Sequence, residues 1–391
     1  MAEPAALDLT DRTVFTEGDP NALYAELRRR GPVWRNDSAE GKPFWAIVRY
    51  RELLEAYADT ATFSSVNGVR LGTDPSAARG MGNRMLIVSD PPHHGPRRKL
   101  VSRTLTPETV RTLVGRLRTR VAARLDHLLE VREFDFAREL AREVPESVIG
   151  ELLGIPETAR TGLATATTEG FESPDDRVRR SANARVFLHF EDQVSGYRRD
   201  GAADDAVGAM TATTADDTDV VLNAVGLLFG GNETTRHALS AGLLAFIEHP
   251  DQYDLLRSSE SIVDSAVEEV LRWTTPAVYV LREVLRPVTL GGVGFRPGDQ
   301  VALWNAAGNQ DEDAFARPEV FDVTRTPNRH LALGHGRHVC IGSRLAKLEI
   351  GVVLTALRAR VRAVELTGAP VWNGSNFTRG LLSLPIRLIS A

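Results

Sequence analysis

The sequence predicts a mainly α protein with small β-sheets. Three observations carry that reading. Several long runs place apolar residues three and four apart, strand-like pieces are few and short, and one central stretch is apolar on nearly every face. In chain order, NALYAELRRRG (21–31) and PETVRTLVGRLRTRVAARLDHLL (107–129) are expected helices. FWAIVRY (44–50) reads as a strand. Residues 64–88 are Gly-rich and read as a long irregular loop, which in a compact protein is usually functional. TATTADDTD (211–219) reads as a polar loop or helix start. The longest helix is expected over 219–249, stopped by Pro250 and roughly 45 Å long at about 1.5 Å per residue. VTLGGVGFRPGDQVALW (288–304) reads as a hairpin turned by Gly-Gly and Pro-Gly. SRLAKLEIGVVLTALRARV (343–361) closes the set as a helix. With no internal repeat and no long linker, the expectation is a single domain over 1–391.

Composition narrows the function classes. The 391 residues are 42% hydrophobic, enough for a sizeable core. A net charge of −5 and a pI near 6.0 argue against non-specific nucleic-acid binding, which needs a basic surface. One cysteine excludes an intrachain disulfide and any multi-cysteine zinc or iron–sulfur site. The acidic, turn-rich start has no signal-peptide pattern, and no charge-free apolar run reaches about 18 residues. The expectation is a cytoplasmic protein with no membrane span and no nucleic-acid partner.

Two places break local rules, and such places are often functional. GGNETT (230–235) interrupts the apolar helix with two glycines, each costing about 1 kcal/mol relative to alanine. Glu233 follows as a buried carboxylate, costly unless partnered. The bland alternative is a close helix crossing at the glycines, with Glu233 at the surface. The second place is LALGHGRHVC, which ends on the lone cysteine, Cys340. A lone cysteine is most often a small buried hydrophobe. Here Gly334, Gly336 and Gly342 flank it, a helix begins just after it, and Arg337 and His338 add positive charge. That pattern suggests a sulfur of lowered pKa on a rigid loop, serving as nucleophile or metal ligand.

GHGRHVCIG closely resembles the cysteine-ligand loop of the cytochrome P-450 family, in which Gly-x-Gly-x-His/Arg-x-Cys-x-Gly presents a thiolate to haem iron. GGNETT resembles that family's oxygen-activation segment. Glu269 and Arg272 match its Glu-x-x-Arg, one helix turn apart, with Arg325 in FDVTR as the third member. DPPHHGPRRKL (90–100) matches a segment in which His94 and Arg98 bind haem propionates. The four motifs stand in the family's order, and the likeness runs from RGPVWR to LLSLPIRL, as in the soluble bacterial branch. Three departures stand out. Leu333 replaces a usual phenylalanine near the thiolate, Gly230 replaces a common alanine, and NQDED (309–313) replaces Asn-Arg-Asp-Pro.

The resemblance implies the cytochrome P450 fold, with the long central helix over a buried haem b whose iron takes Cys340 as its axial thiolate. It implies that His94, Arg98, Arg282 and His338 hold the propionates, and that Gly230, Leu333, Gly334 and Gly342 shape the haem contacts. Thr234 and Glu233 become the proton-delivery pair, and Glu269, Arg272 and Arg325 a structural set. The implied activity inserts one oxygen atom of O2 into a C–H or C=C bond of a lipophilic molecule, with a tailoring step in natural-product biosynthesis expected. A peroxide-driven peroxygenase, a sterol or terpene catabolic hydroxylase, and a non-catalytic haem protein are the alternatives. Electrons are expected from NAD(P)H through ferredoxin reductase and a ferredoxin. The ferredoxin would dock on Arg97, Lys99, Arg103, Arg337, Arg344 and Lys347 of a monomer. The pocket is expected from 64–88, 162–187, 227–234, 277–281 and 377–382, with Tyr279 and Arg379 as polar contacts, for a free or carrier-bound substrate.

Overall fold

The computed structural model describes residues 7–37, 42–173 and 175–391, apart from the side chain of Glu172. Pro174, inside the expected pocket segment 162–187, lies outside the described residues.

The central helix spans Asp217–Glu248, close to the expected 219–249, and runs unbroken through GGNETT. Asp216 caps it by accepting from the Asp219 amide. The cap is reinforced from two sides. Arg84 reaches both Asp216 (2.6 Å) and Asp219 (2.9 Å), and Arg97 holds the other Asp219 oxygen at 2.7 Å. Asn223 then ties the helix to the loop above it, accepting from the Leu86 amide and donating to the Arg84 carbonyl.

Around this helix pack Glu143–Leu152, Glu157–Glu172, Asp176–Asp200, Val263–Thr274 and Ser343–Arg360. Their apolar stripes explain the arrangement. In Pro107–Val131, capped by Thr106, the buried residues Val110, Leu113, Val114, Leu117, Val121, Leu125 and Leu128 recur at three and four. That stripe seats on Ser343–Arg360, whose Leu345, Ile350, Val353 and Leu357 face inward. Among the described residues, no helix is long and apolar enough to cross a membrane.

The largest sheet has five strands. Val33–Asn36 pairs antiparallel with Phe44–Ile47, which runs parallel to Gln300–Leu303. Val280–Val284 follows, antiparallel, and Phe63–Ser64 closes the edge. The strand expected over 44–50 is cut short because Tyr50 opens the helix Tyr50–Ala58. The expected hairpin over 288–304 divides between two sheets. Val288–Leu290 and Val293–Phe295 pair through Gly291 and Gly292, both at positive φ, while Gln300–Leu303 joins the large sheet.

The irregular segment expected at 64–88 is partly ordered. Asp74 caps the helix Pro75–Met81, and a 3-10 turn covers Leu86–Val88. The polar segment 211–219 holds the end of the helix Ala206–Thr213 and the cap of the central helix.

Candidate active site

Cys340 lies on the loop before the helix Ser343–Arg360, two residues ahead of its cap, Gly342. The loop is drawn tight by the Cys340 amide donating to the Leu333 carbonyl at 2.8 Å. Gly334 (φ 70°) and Gly336 (φ 65°) hold left-handed turns against Tyr57. The expected lowering of the sulfur's pKa is corrected. Burial pushes the thiol above its ordinary value, and the Gly342 N–H and Arg98 offset this only in part. The dipole acts weakly because the helix begins beyond the cysteine. A metal cation on the sulfur supplies what the protein withholds, since a coordinated thiol is deprotonated outright.

The central helix is buried along most of its length, yet in its middle Gly226, Leu227, Phe229, Gly230, Gly231 and Thr234 keep accessible surface. Gly226, Gly230 and Thr234 lie four apart, on one face. A Cβ on Gly230 would meet nothing within 4 Å, whereas one on Gly231 would stand 2.9 Å from Ile149 Cδ1. One glycine therefore faces open space and the other a close helix crossing. Thr234 turns its hydroxyl back to the Gly230 carbonyl at 2.8 Å. Glu233 is buried, not at the surface. Arg236 donates to it at 2.6 Å, as do Thr168 at 2.7 Å and Thr167 at 3.1 Å.

The expected propionate residues gather from three elements. His94 and His338 meet ring to ring at 4.6 Å. Arg282, buried, lies 6.0 Å from the centre of the Tyr57 ring and donates to its neighbour's carbonyl. Arg98 donates to the Val339 carbonyl at 2.9 Å. His94 Nε2 is buried with no hydrogen-bond partner among the described residues. Burial, then Arg282 and His94, push His338 down to about 3. Two arginines and two imidazoles that would gain a proton beside an anion fit a group bearing two carboxylates. Haem has that chemistry, and a sulfur ligand beside it completes the fit.

Glu269, Arg272 and Arg325 form the expected set. Arg272 grips Glu269 with two bonds of 2.7 and 2.8 Å, and Arg325 Nε reaches the same carboxylate at 3.1 Å. Both members of the first pair are fully buried. Breaking such a pair typically costs about 3–5 kcal/mol. NQDED packs well despite its departure. Asn309 accepts from the Leu331 amide, and Arg49 binds Asp311, Glu312 and Asp313.

Comparison with known proteins gives the family. The family model for Cytochrome P450 matches residues 198–363. The putative cytochrome P450 126 of Mycobacterium tuberculosis is 35% identical, over 98% of each chain. The chain belongs to the cytochrome P450 family. Linalool 8-monooxygenase of Pseudomonas putida is 31% identical to this P450, over 98% of each chain. Among solved structures, P450 OxyD, involved in the biosynthesis of vancomycin-type antibiotics, superposes with a TM-score of 0.89. It is 33% identical and covers 98% of this chain and 100% of its own. This P450 is accordingly a haem-thiolate monooxygenase.

The five expected pocket segments meet in one aromatic cluster. Phe171 packs edge-on against Phe229 at 4.9 Å and lies 5.9 Å from Phe377. Backbone bonds join Val278 to Phe377 and Leu281 to Val69. Of the two expected polar contacts one is already engaged, and the other keeps a buried Nη1 with no hydrogen-bond partner among the described residues. Tyr279 stacks on Trp304 and accepts from the Leu71 amide, and Arg379 lies over the Trp372 ring at 4.3 Å. The proposed dock divides too. Arg97 and Lys347 are tied to Asp219 and Glu268, while Lys99, Arg103, Arg337 and Arg344 are exposed without a carboxylate partner among the described residues.

Tyr57, Ser65 and Asp90 were not singled out from sequence. Tyr57 lies beneath Arg282, and Ser65 bonds Asp90 and sits 3.5 Å from His338. Tyr57 and Ser65 are remote in sequence from the residues they serve, so no local pattern marks them, and Asp90 opens the DPPHHGPRRKL segment without a signal that it would bind Ser65.

Proposed function

We propose that this P450 acts as one catalytic domain that oxygenates a lipophilic small molecule in natural-product tailoring. NAD(P)H supplies the electrons through ferredoxin reductase and ferredoxin. One observation carries the reading: on a largely buried helix Gly230 borders open space and Thr234 lies on the same face with its hydroxyl on the Gly230 carbonyl, with a gripped carboxylate beside them. Haem bound at Cys340 supplies the activation of dioxygen, and the chain supplies position and protons. Leu227 and Phe229 give the substrate an apolar wall and exclude water. Thr234 can accept and donate at one oxygen, and rotation about χ1 frees it from the Gly230 carbonyl. Glu233 brings protons once it swings off Thr167, Thr168 and Arg236. His94, Arg98, Arg282 and His338 hold the propionates, and Glu269, Arg272 and Arg325 brace the segment leading to the cysteine loop.

Lys99, Arg103, Arg337 and Arg344 form the smaller basic dock that remains for an acidic ferredoxin. Similarity to linalool 8-monooxygenase supports terpenoid oxidation as the second reading. The test is Thr234→Ala together with Cys340→Ser. Thr234→Ala is expected to keep the carbon monoxide spectrum while product formed per reductant consumed falls severalfold. Cys340→Ser is expected to lose the thiolate-type spectrum. Unchanged coupling in the first variant, or turnover with peroxide but not with reductase and ferredoxin, would replace the proposal.

A further inference from the structure

Arg70 sits among the aromatic rings of the pocket without a counter-charge. Its guanidinium lies 5.6 Å from the centre of the Phe377 ring, and Nη1 donates to the Phe171 carbonyl at 3.0 Å. No carboxylate pairs with it among the described residues. Arg28, Arg49, Arg236, Arg272 and Arg325, by contrast, each have a carboxylate within 3.2 Å, while Arg379, over the Trp372 ring, shares the lack among the described residues. Arg282 has the propionate cradle. At Arg70 the surroundings add to the imbalance. Arg179 and Arg12 both press positive charge on it, and with burial they hold it below the ordinary guanidinium value. The one group that could neutralise it is the Tyr279 phenol, and burial raises that pKa and keeps it protonated.

The position is also rigid. Leu281 donates to the Val69 carbonyl, Leu71 to the Tyr279 hydroxyl, and Thr73 to the Arg70 carbonyl at 2.6 Å. The backbone that carries the guanidinium is thus held in advance, and the Phe171 carbonyl holds its Nη1, which lowers the cost of ordering it for a ligand. Phe171, which accepts from Arg70, touches Phe229, the neighbour of Gly230. A continuous path of rings leads from the reactive face of the central helix to this charge. Among the described residues only one of its five guanidinium N–H groups has an acceptor, and a half-buried cation without a counter-charge gains from one.

We propose that Arg70 receives a carboxylate on the substrate, which makes this P450 selective for free acids with a flat or unsaturated apolar body. The proposal deepens the monooxygenase reading and rests on it for the haem-loaded pocket. The test compares each acid with its uncharged amide: biphenyl-4-carboxylic acid with biphenyl-4-carboxamide, and geranic acid with geranamide. Binding to haem-loaded protein is measured by calorimetry, with the Soret shift as a second readout. The acid of at least one pair is expected to bind about tenfold to a hundredfold tighter than its amide, the range of one charge-assisted hydrogen bond. Arg70→Gln is expected to abolish that preference while retaining haem, and Arg70→Lys to keep part of it. If Arg70 only ties the loop to Phe171, Arg70→Gln weakens acid and amide alike, and the proposal falls. Wild-type protein with no acid preference in either pair, or binding none of the four, also overturns it. Failure to form product with a bound acid would count against the monooxygenase reading alone.

Discussion

Gly230 and Gly231 are neighbours with different reasons to be glycine. The first borders open space, and the second lets Ile149 of the adjacent helix approach. Sequence offered these as rival accounts of the whole motif, because two adjacent glycines look the same on a page. Only the azimuth around the helix separates them, and each account holds for one residue. Gly230→Ala is expected to raise unfolding free energy by roughly 1 kcal/mol through helix propensity. Gly231→Ala carries the same propensity gain but crowds Ile149, at a cost of about 1–3 kcal/mol, so it is expected to be the less stable of the two. Urea unfolding of the two variants checks this, and the reverse order would refute the assignment. At Cys340 the residue was legible and its protonation was not. Position before a helix suggests a lowered pKa, but burial decides the direction, and burial is a property of the folded loop.

At the scale of elements, periodicity exposed the long helices, and the family resemblance marked the Glu269–Arg272 turn. Neither could say that this pair would be fully buried, nor that Asn328 and the Asp322 amide would share the carboxylate. Those partners come from a distant loop with no pattern of its own. The run 288–304 shows the same limit. Its turn residues were readable, but alternation does not name a strand's neighbour. The helix that follows Cys340 carries a group no motif marks. Glu349 is buried, its Oε2 has no hydrogen-bond partner among the described residues, and burial holds its pKa well above the usual carboxylate range. The unfolded chain gives up this proton in the ordinary range, while the folded chain keeps it to higher pH. Stability is therefore lost as pH rises through that window. Glu349→Gln is expected to be more stable than wild type at pH 7 and to match it at pH 4. Equal stability at both values would show that the carboxyl has found a partner.

At the scale of the molecule, the charge that matters for an electron donor is local. A net charge of −5 conceals a face where Lys99, Arg103, Arg337 and Arg344 stand exposed. Lys99→Glu with Arg337→Glu is expected to raise the KM for an acidic ferredoxin while leaving peroxide-driven turnover unchanged. The defect should persist as salt weakens wild-type docking toward it. An unaltered KM at low salt would move the dock elsewhere. The fold as a whole was legible because the motifs stand in a recognisable order. The sharing-out of arginines among carboxylates was not, since it depends on which loops meet.

Asp219 binds Arg84 with one oxygen and Arg97 with the other, and so closes the chain between them into a ring without a covalent bond. That ring contains Asp90 and His94. Closing a loop of this size costs entropy that grows only as the logarithm of its length. Because the clasp forms within the protein itself, this cost falls on folding. With His94 holding a propionate as proposed, one side of that cradle would be shaped before the prosthetic group arrives, and Asp219 would help set how readily the apoprotein captures it.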